Sequence, residues 1–237
     1  MHPHKKGNRK RNLQVCLCFE NHMLRIAALL LSCVAAARGQ APIPPSLDSI
    51  GWEVGMRGSP MRIEIFGDFQ CPDTKAAWTG WLKTFRQKYA ANISIVFHPF
   101  PLPYHKNGFD AAQAAVVMTN RSLGGTTFVE ASAALFAAQD SFQTDATIDK
   151  SQRQLFTEIL APVAASVGLP TKTFLQHMTN EDPANEQVRG AWKFGAQLGV
   201  SGTPSFAANG VVSDELATWT LAQWEAWAFP SKRVPRV

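Results

Sequence analysis

The sequence predicts an α/β fold in which a central mixed sheet carries an inserted helical region. Three observations lead there. A strand, a helix and a second strand follow one another between Met61 and Phe97; a long run of helical pattern fills 107–198; and a short hairpin with a final helix closes the chain. Strand–helix–strand implies a parallel pair joined by a right-handed crossover, whereas a tight hairpin is antiparallel, so the sheet is mixed. At 237 residues and 46% hydrophobic, with no internal repeat, the chain suits one medium domain with a real core.

Residues 1–39 read as a secretory signal peptide. A basic n-region precedes the apolar run Ile26–Ala37, and small residues follow. The run is shorter than the roughly 20 apolar residues a bilayer span needs. Cleavage after Ala37 or after Gly39 satisfies the small-residue rule, the second being favoured. Met23 is an alternative start, because Leu24-Arg25 and the apolar run would by themselves make a compact signal. An uncleaved anchor and a mitochondrial presequence are the competing readings. After cleavage no membrane span is expected, and the compartment is the endoplasmic reticulum lumen or the exterior.

The leader also accounts for the charge. It holds seven Lys/Arg and one acid, so of the 23 basic and 18 acidic residues in the chain, 16 and 17 remain beyond it. A near-neutral domain offers no nucleic-acid footprint. Cys16, Cys18 and Cys33 lie in the leader as well, which leaves Cys71 as the one cysteine of the mature chain. No Cys/His spacing points to a metal site.

Residues 40–58, rich in proline at 42, 44 and 45, read as a linker, and 59–230 as the domain. Met61–Phe66 alternates as a strand behind the turn Gly58-Ser59-Pro60. From Pro72 to Tyr89 the residues Trp78, Trp81, Leu82, Phe85 and Tyr89 recur at helical spacing, a stripe read as core. Ile93–Phe97 is the next strand, ended by Pro99. An insertion over about 106–199 follows, with helices over 107–119, 127–139 and 148–167. Two more lie at 172–178, capped by Thr171, and from Pro183 to about Leu198, capped by Asp182. Ser205–Ala208, the turn Asn209-Gly210 and Val211-Val212 make the hairpin. An amphipathic helix spans Leu221–Phe229, and 231–237 is a tail.

Cys71 is the candidate nucleophile, because it ends the first strand pattern and opens a helix. A helix N-terminus offers unpaired N–H groups and the positive end of the dipole to a thiolate, and Pro72 suits the first turn, where its missing donor costs nothing. The plainer reading of a lone cysteine is a small buried hydrophobe. One turn on stands Thr74, so no internal Cys-x-x-Cys disulfide is available. The Thr74 hydroxyl serves either as a donor to the sulfur or as a helix cap. Asp73 opposes a second negative charge beside it. His98 and His105 read as strand-end and loop residues, and Asp68 as a turn former with a proton-relay role as the rival. Asn92-Ile93-Ser94 and Asn120-Arg121-Ser122 fit the glycosylation sequon.

Three motifs in order, Asp68-Phe69-Gln70-Cys71-Pro72, Phe100-Pro101-Leu102-Pro103-Tyr104-His105-Lys106-Asn107 and Gly199-Val200-Ser201-Gly202-Thr203-Pro204, resemble the disulfide-bond protein A (DsbA) branch of the thioredoxin-like fold. The resemblance covers about Met61–Phe229. It implies that Cys71 is the attacking thiol, that Thr203-Pro204 is a substrate-binding loop with a cis-proline facing that thiol, and that Thr74 replaces the resolving cysteine. The function so implied is thiol–disulfide exchange through a single thiol, on thiol- or disulfide-bearing protein clients or with glutathione as co-substrate and no bound cofactor. A non-catalytic peptide-binding module and a glutathione-dependent transferase or peroxidase are the alternatives.

Overall fold

The computed structural model describes residues 51–230. The signal segment 1–39, the first part of the linker and the tail 231–237 lie outside the described residues. Five strands form one sheet: β1 (Trp52–Gly55), β2 (Arg62–Gly67), β3 (Ser94–Pro99), β4 (Ser205–Ala208) and β5 (Val211–Val212), in the order β1-β3-β2-β4-β5. β2 and β3 run parallel, with Ile63 opposite Ile95 and Ile65 opposite Phe97. The other pairings are antiparallel, so the sheet is mixed, as the sequence predicts. The 40–58 segment is more than a linker, since its end supplies β1 as an edge strand with Trp52 opposite Phe97.

The connection from β2 to β3 holds two helices, α1 (Pro72–Thr79) and α2 (Trp81–Tyr89), where the apolar spacing predicts one. Gly80 divides them at φ −91°, ψ −112°, a conformation outside the helical region, and its N–H closes α1 on the carbonyl of Ala76. The hydrophobic stripe runs through this break because both helices face the same core.

The insertion contains α3 (Gly108–Thr119), α4 (Phe128–Ala137), a helical run α5, α6 (Thr171–Gln176) and α7 (Pro183–Gln197). α5 consists of an α-turn Gln152–Gln154, a π-helical stretch Leu155–Leu160 and an α-helix Ala161–Ser166. Pro162 lacks the N–H a regular ladder would use, and the widened turn lies just before it. The predicted start of α5 at 148 moves to the cap Ser151, whose hydroxyl accepts from Gln154 N–H. α6 is capped by Pro170 in extended geometry rather than by Thr171. α7 starts as predicted, with the Asp182 carboxylate accepting from Ala184 N–H and Pro183 in the first turn. The final helix, α8, is Leu221–Ala228.

β2 and β3 are buried along nearly their whole length, so both faces of the sheet are covered. One face, with Ile63, Ile65, Ile95, Phe97 and Phe206, packs against Trp78, Leu82, Phe85 and Trp224. Phe66 and Ala207, one register away, join Phe100, Ala191, Phe194 and Val200 in a second cluster on the opposite face. The hairpin turns through Asn209 at φ 49° and Gly210 at φ 84°, the two positive values a type I′ turn requires. Among the described residues no helix is long and apolar enough to cross a membrane.

Candidate active site

β2 ends at Gly67, and four residues later Cys71 is the N-cap of α1, with φ −74°, ψ 122° and Pro72 in the first turn. A turn fixes it there, because Cys71 N–H donates to the carbonyl of Asp68 at 3.0 Å. The residue is 4% exposed. Its thiol donates to the carbonyl of Thr203 at 3.3 Å, and the Thr203–Pro204 peptide bond is cis. Ser205, at the start of β4, ties the same loop by donating its hydroxyl to Gly202 at 2.7 Å. The structure therefore brings the ends of β2 and β4 together at the sulfur, with Cys71 and Thr203 in contact.

Asp73 lies exposed in the first turn of α1. Thr74 is fully buried, and its hydroxyl accepts from Asp68 N–H at 3.4 Å. Neither role weighed for it from sequence is the one adopted: the bond goes to the loop before the cysteine, not to the sulfur or to a cap. The Thr203 hydroxyl is buried and has no hydrogen-bond partner among the described residues. Asn92 and Asn120, the sequon asparagines, are both exposed. No group of three or more His, Cys, Asp or Glu among the described residues could hold a metal ion.

The insertion holds the cysteine loop through side-chain amides. Gln139 donates Nε2 to the carbonyls of Phe69 at 2.9 Å and Cys71 at 3.0 Å, and Gln143 donates to that of Gln70 at 2.9 Å. Three consecutive carbonyls are thus satisfied from the segment after α4. Gln70 returns the contact, giving Nε2 to Thr144 and accepting Asn107 N–H at 2.7 Å. Asn107 in turn donates to Phe142 and Thr147. Sequence reasoning missed this network, since glutamines after a helix carry no local signal of a partner about 70 residues away.

Two buried carboxylates lie behind the loop. Asp68 accepts Gln70 N–H at 2.7 Å, Leu102 N–H at 2.8 Å and contacts His105 Nδ1 at 2.8 Å. Burial raises its pKa above the ordinary carboxylate value, against the lowering effect of these three bonds. A Cβ at Gly108 would stand 2.7 Å from the Asp68 carboxylate, so only glycine fits at the start of α3. Glu64, in mid-strand, contacts His98 Nε2 at 2.8 Å and accepts from Arg62 at 3.0 Å. Burial pushes its pKa up as well, but His98 and Arg62 outweigh that and hold it below the ordinary value. Asp68 thus does more than form a turn, and His98 and His105 are partners of buried acids rather than plain strand-end and loop residues. Glu64 alternates with Ile63 and Ile65 along β2, and the face it shares with Phe66 and His98 is the one α7 covers.

A cleft of about 400 Å³ opens beside His105, lined also by Lys106, Phe109, Arg189, Trp192 and Lys193.

The DSBA-like thioredoxin domain family model matches residues 62–226. The chain belongs to that family. Solved structures with the same fold include BdbD from Bacillus subtilis in its oxidised form, 17% identical, with a TM-score of 0.53 over 76% of this chain and 91% of that one. Alpha-DsbA1 from Wolbachia pipientis is 19% identical, with a TM-score of 0.54 over 73% of this chain and 79% of that one. ScsC from Proteus mirabilis, in a compact conformation, is 16% identical, with a TM-score of 0.52 over 92% and 94%. No curated protein sequence matches the chain. At these identities the likeness carries the DsbA-like thioredoxin fold, and the mixed sheet interrupted by helices is that architecture.

Proposed function

We propose that this member of the family is a thiol–disulfide oxidoreductase of the secretory pathway that works through the single thiol of Cys71. The observation that carries the reading is the placement of that thiol, at the N-terminus of α1 and 3.3 Å from the backbone carbonyl of Thr203. The Cys71 thiolate attacks one sulfur of a disulfide, forms a mixed disulfide with it, and the other sulfur leaves as a thiolate that takes up the proton. Because Thr74 supplies no second sulfur, an external thiol such as glutathione displaces the bound half and restores Cys71. The net change is exchange of one disulfide for another, with no electrons gained or lost by the protein. Loss of the S–H also frees the Thr203 carbonyl, which then accepts an N–H from an extended substrate peptide in the manner of strand addition. Arg189 and Lys193 in the cleft beside His105 suit the carboxylates of glutathione.

The test is mass spectrometry of the folded protein after treatment with oxidised glutathione. The wild type gains one glutathione, and Cys71→Ala gains none. Thr74→Cys, which places a sulfur one helical turn on, loses two hydrogens and carries no glutathione. The near-complete burial of Cys71 favours a second reading, a peptide-binding module with an inert thiol; a folded wild type that stays unmodified selects it. Secretory entry rests on the basic n-region, the apolar run and the small residues that follow, and N-terminal sequencing of secreted material is expected to begin near Gln40. An intact Met1 or Met23 would contradict it.

A further inference from the structure

Away from Cys71, α2, the β1–β3 edge and Val129 of α4 line a second, open cavity of about 280 Å³. Its apolar walls are Val54, Ala90, Ile93, Ile95 and Val129, and Lys83, Arg86 and Gln87 of α2 supply its polar side chains. Arg86 sets its guanidinium over the Trp78 ring, 3.9 Å from the centroid. Its Nη1 is buried and has no hydrogen-bond partner among the described residues. Burial pulls the Arg86 pKa down to about 10, which leaves the group charged at neutral pH. A buried cationic donor without an acceptor is costly, and a carboxylate is the acceptor whose geometry matches a guanidinium best. Val54, Ala90, Ile93, Ile95 and Val129 would be left wet by acetate or phosphate.

We propose that this cavity binds an aliphatic carboxylate, with the carboxylate on Arg86 and the chain against Val54, Ile93, Ile95 and Val129. Ligand pockets run from roughly 300 to 1,000 Å³, so a cavity just below that range suits one short unbranched chain better than a bulky ring system. Lys83, exposed at the rim, adds a second positive charge toward the same end. Val129 is 43% exposed and forms the rim from the first turn of α4.

Calorimetric titration of the purified chain with octanoate, octanol and octylamine, each below its aggregation threshold, tests the assignment. Octanoate is expected to bind about tenfold more tightly than octanol, and octylamine to bind least. Arg86→Gln should weaken octanoate by about tenfold and leave octanol unchanged. Val129→Glu provides a second arm that leaves Arg86 in place, because an acid in the first turn of a helix favours folding while placing a negative charge at the rim, where it competes with the ligand carboxylate. It should weaken octanoate by a similar factor with no fall in thermal stability. No measurable octanoate binding, equal affinity for octanol, or octanoate affinity that survives both substitutions would overturn the proposal, the last by assigning the ligand to the cleft beside His105.

Discussion

Two buried acid–imidazole pairs stand on neighbouring parts of the molecule, and they end with opposite electrostatic character. Glu64 with His98 lies within the sheet, and Asp68 with His105 lies at its end, each contact at 2.8 Å. Burial pushes both carboxyls toward the protonated form. Glu64 receives the Arg62 guanidinium in addition to His98, and its pKa is held below the ordinary value. Asp68 receives two backbone N–H groups and His105, and burial still prevails. Arg62 is a guanidinium partner that Asp68 lacks, and Asp68 is the more deeply buried of the two. Glu64 is shifted toward the charged form and ties β2 to β3, whereas Asp68, in the loop before Cys71, is shifted toward the protonated form.

The comparison breaks most visibly at Glu64. Glu64→Ala removes the carboxylate shared by His98 and Arg62 and is expected to destabilise the fold by about 3–5 kcal/mol, the range for taking one partner from a buried pair. Urea denaturation measures it, and a loss below about 1 kcal/mol would make the pair no more than a surface contact. Asp68→Asn leaves one carbonyl oxygen where three donors converge, with an expected loss of about 1–3 kcal/mol.

The pH dependence sharpens the contrast further. The folded pKa of Asp68 is raised, so between the ordinary carboxylate value and that raised value the native state holds a proton the unfolded chain has released. Its contribution to stability therefore falls as pH rises through this window. Glu64 has a lowered folded pKa, so its contribution is present above the ordinary value and is lost as pH falls through the folded one. The stability gap between wild type and Asp68→Asn should narrow as pH rises, while the gap between wild type and Glu64→Gln should widen. Denaturation midpoints across acid to neutral pH read both, and two gaps that move in the same direction would refute the contrast.

What the sequence disclosed and what it withheld divide along the range of the interactions. The strand into Cys71, the proline behind it, the cap at Asp182 and the Asn209-Gly210 turn are all legible, because each depends on neighbours a few residues away. β1 was hidden, since Trp52 and Val54 make a strand only by pairing with β3. The Gly80 break was hidden by a hydrophobic stripe that both helices continue. Thr74 was read as a donor to the sulfur or as a cap, and its actual partner, Asp68 N–H, depends on how β2 ends. Glu64 and His98 alternate as polar residues should on a solvated face, and only the position of α7 turns that face inward.

The amides of Gln139 and Gln143 give the loop around Cys71 an unusual owner. Three successive peptide groups, at 69, 70 and 71, are moored to a segment that enters the chain about 70 residues later. Residues 68–74 grafted onto a bare strand–helix–strand scaffold would arrive without their moorings, and the sulfur would be free to wander. The inserted helices thus act as a jig for the thiol, and any swing of that insertion against the sheet would be felt first at the reacting atom.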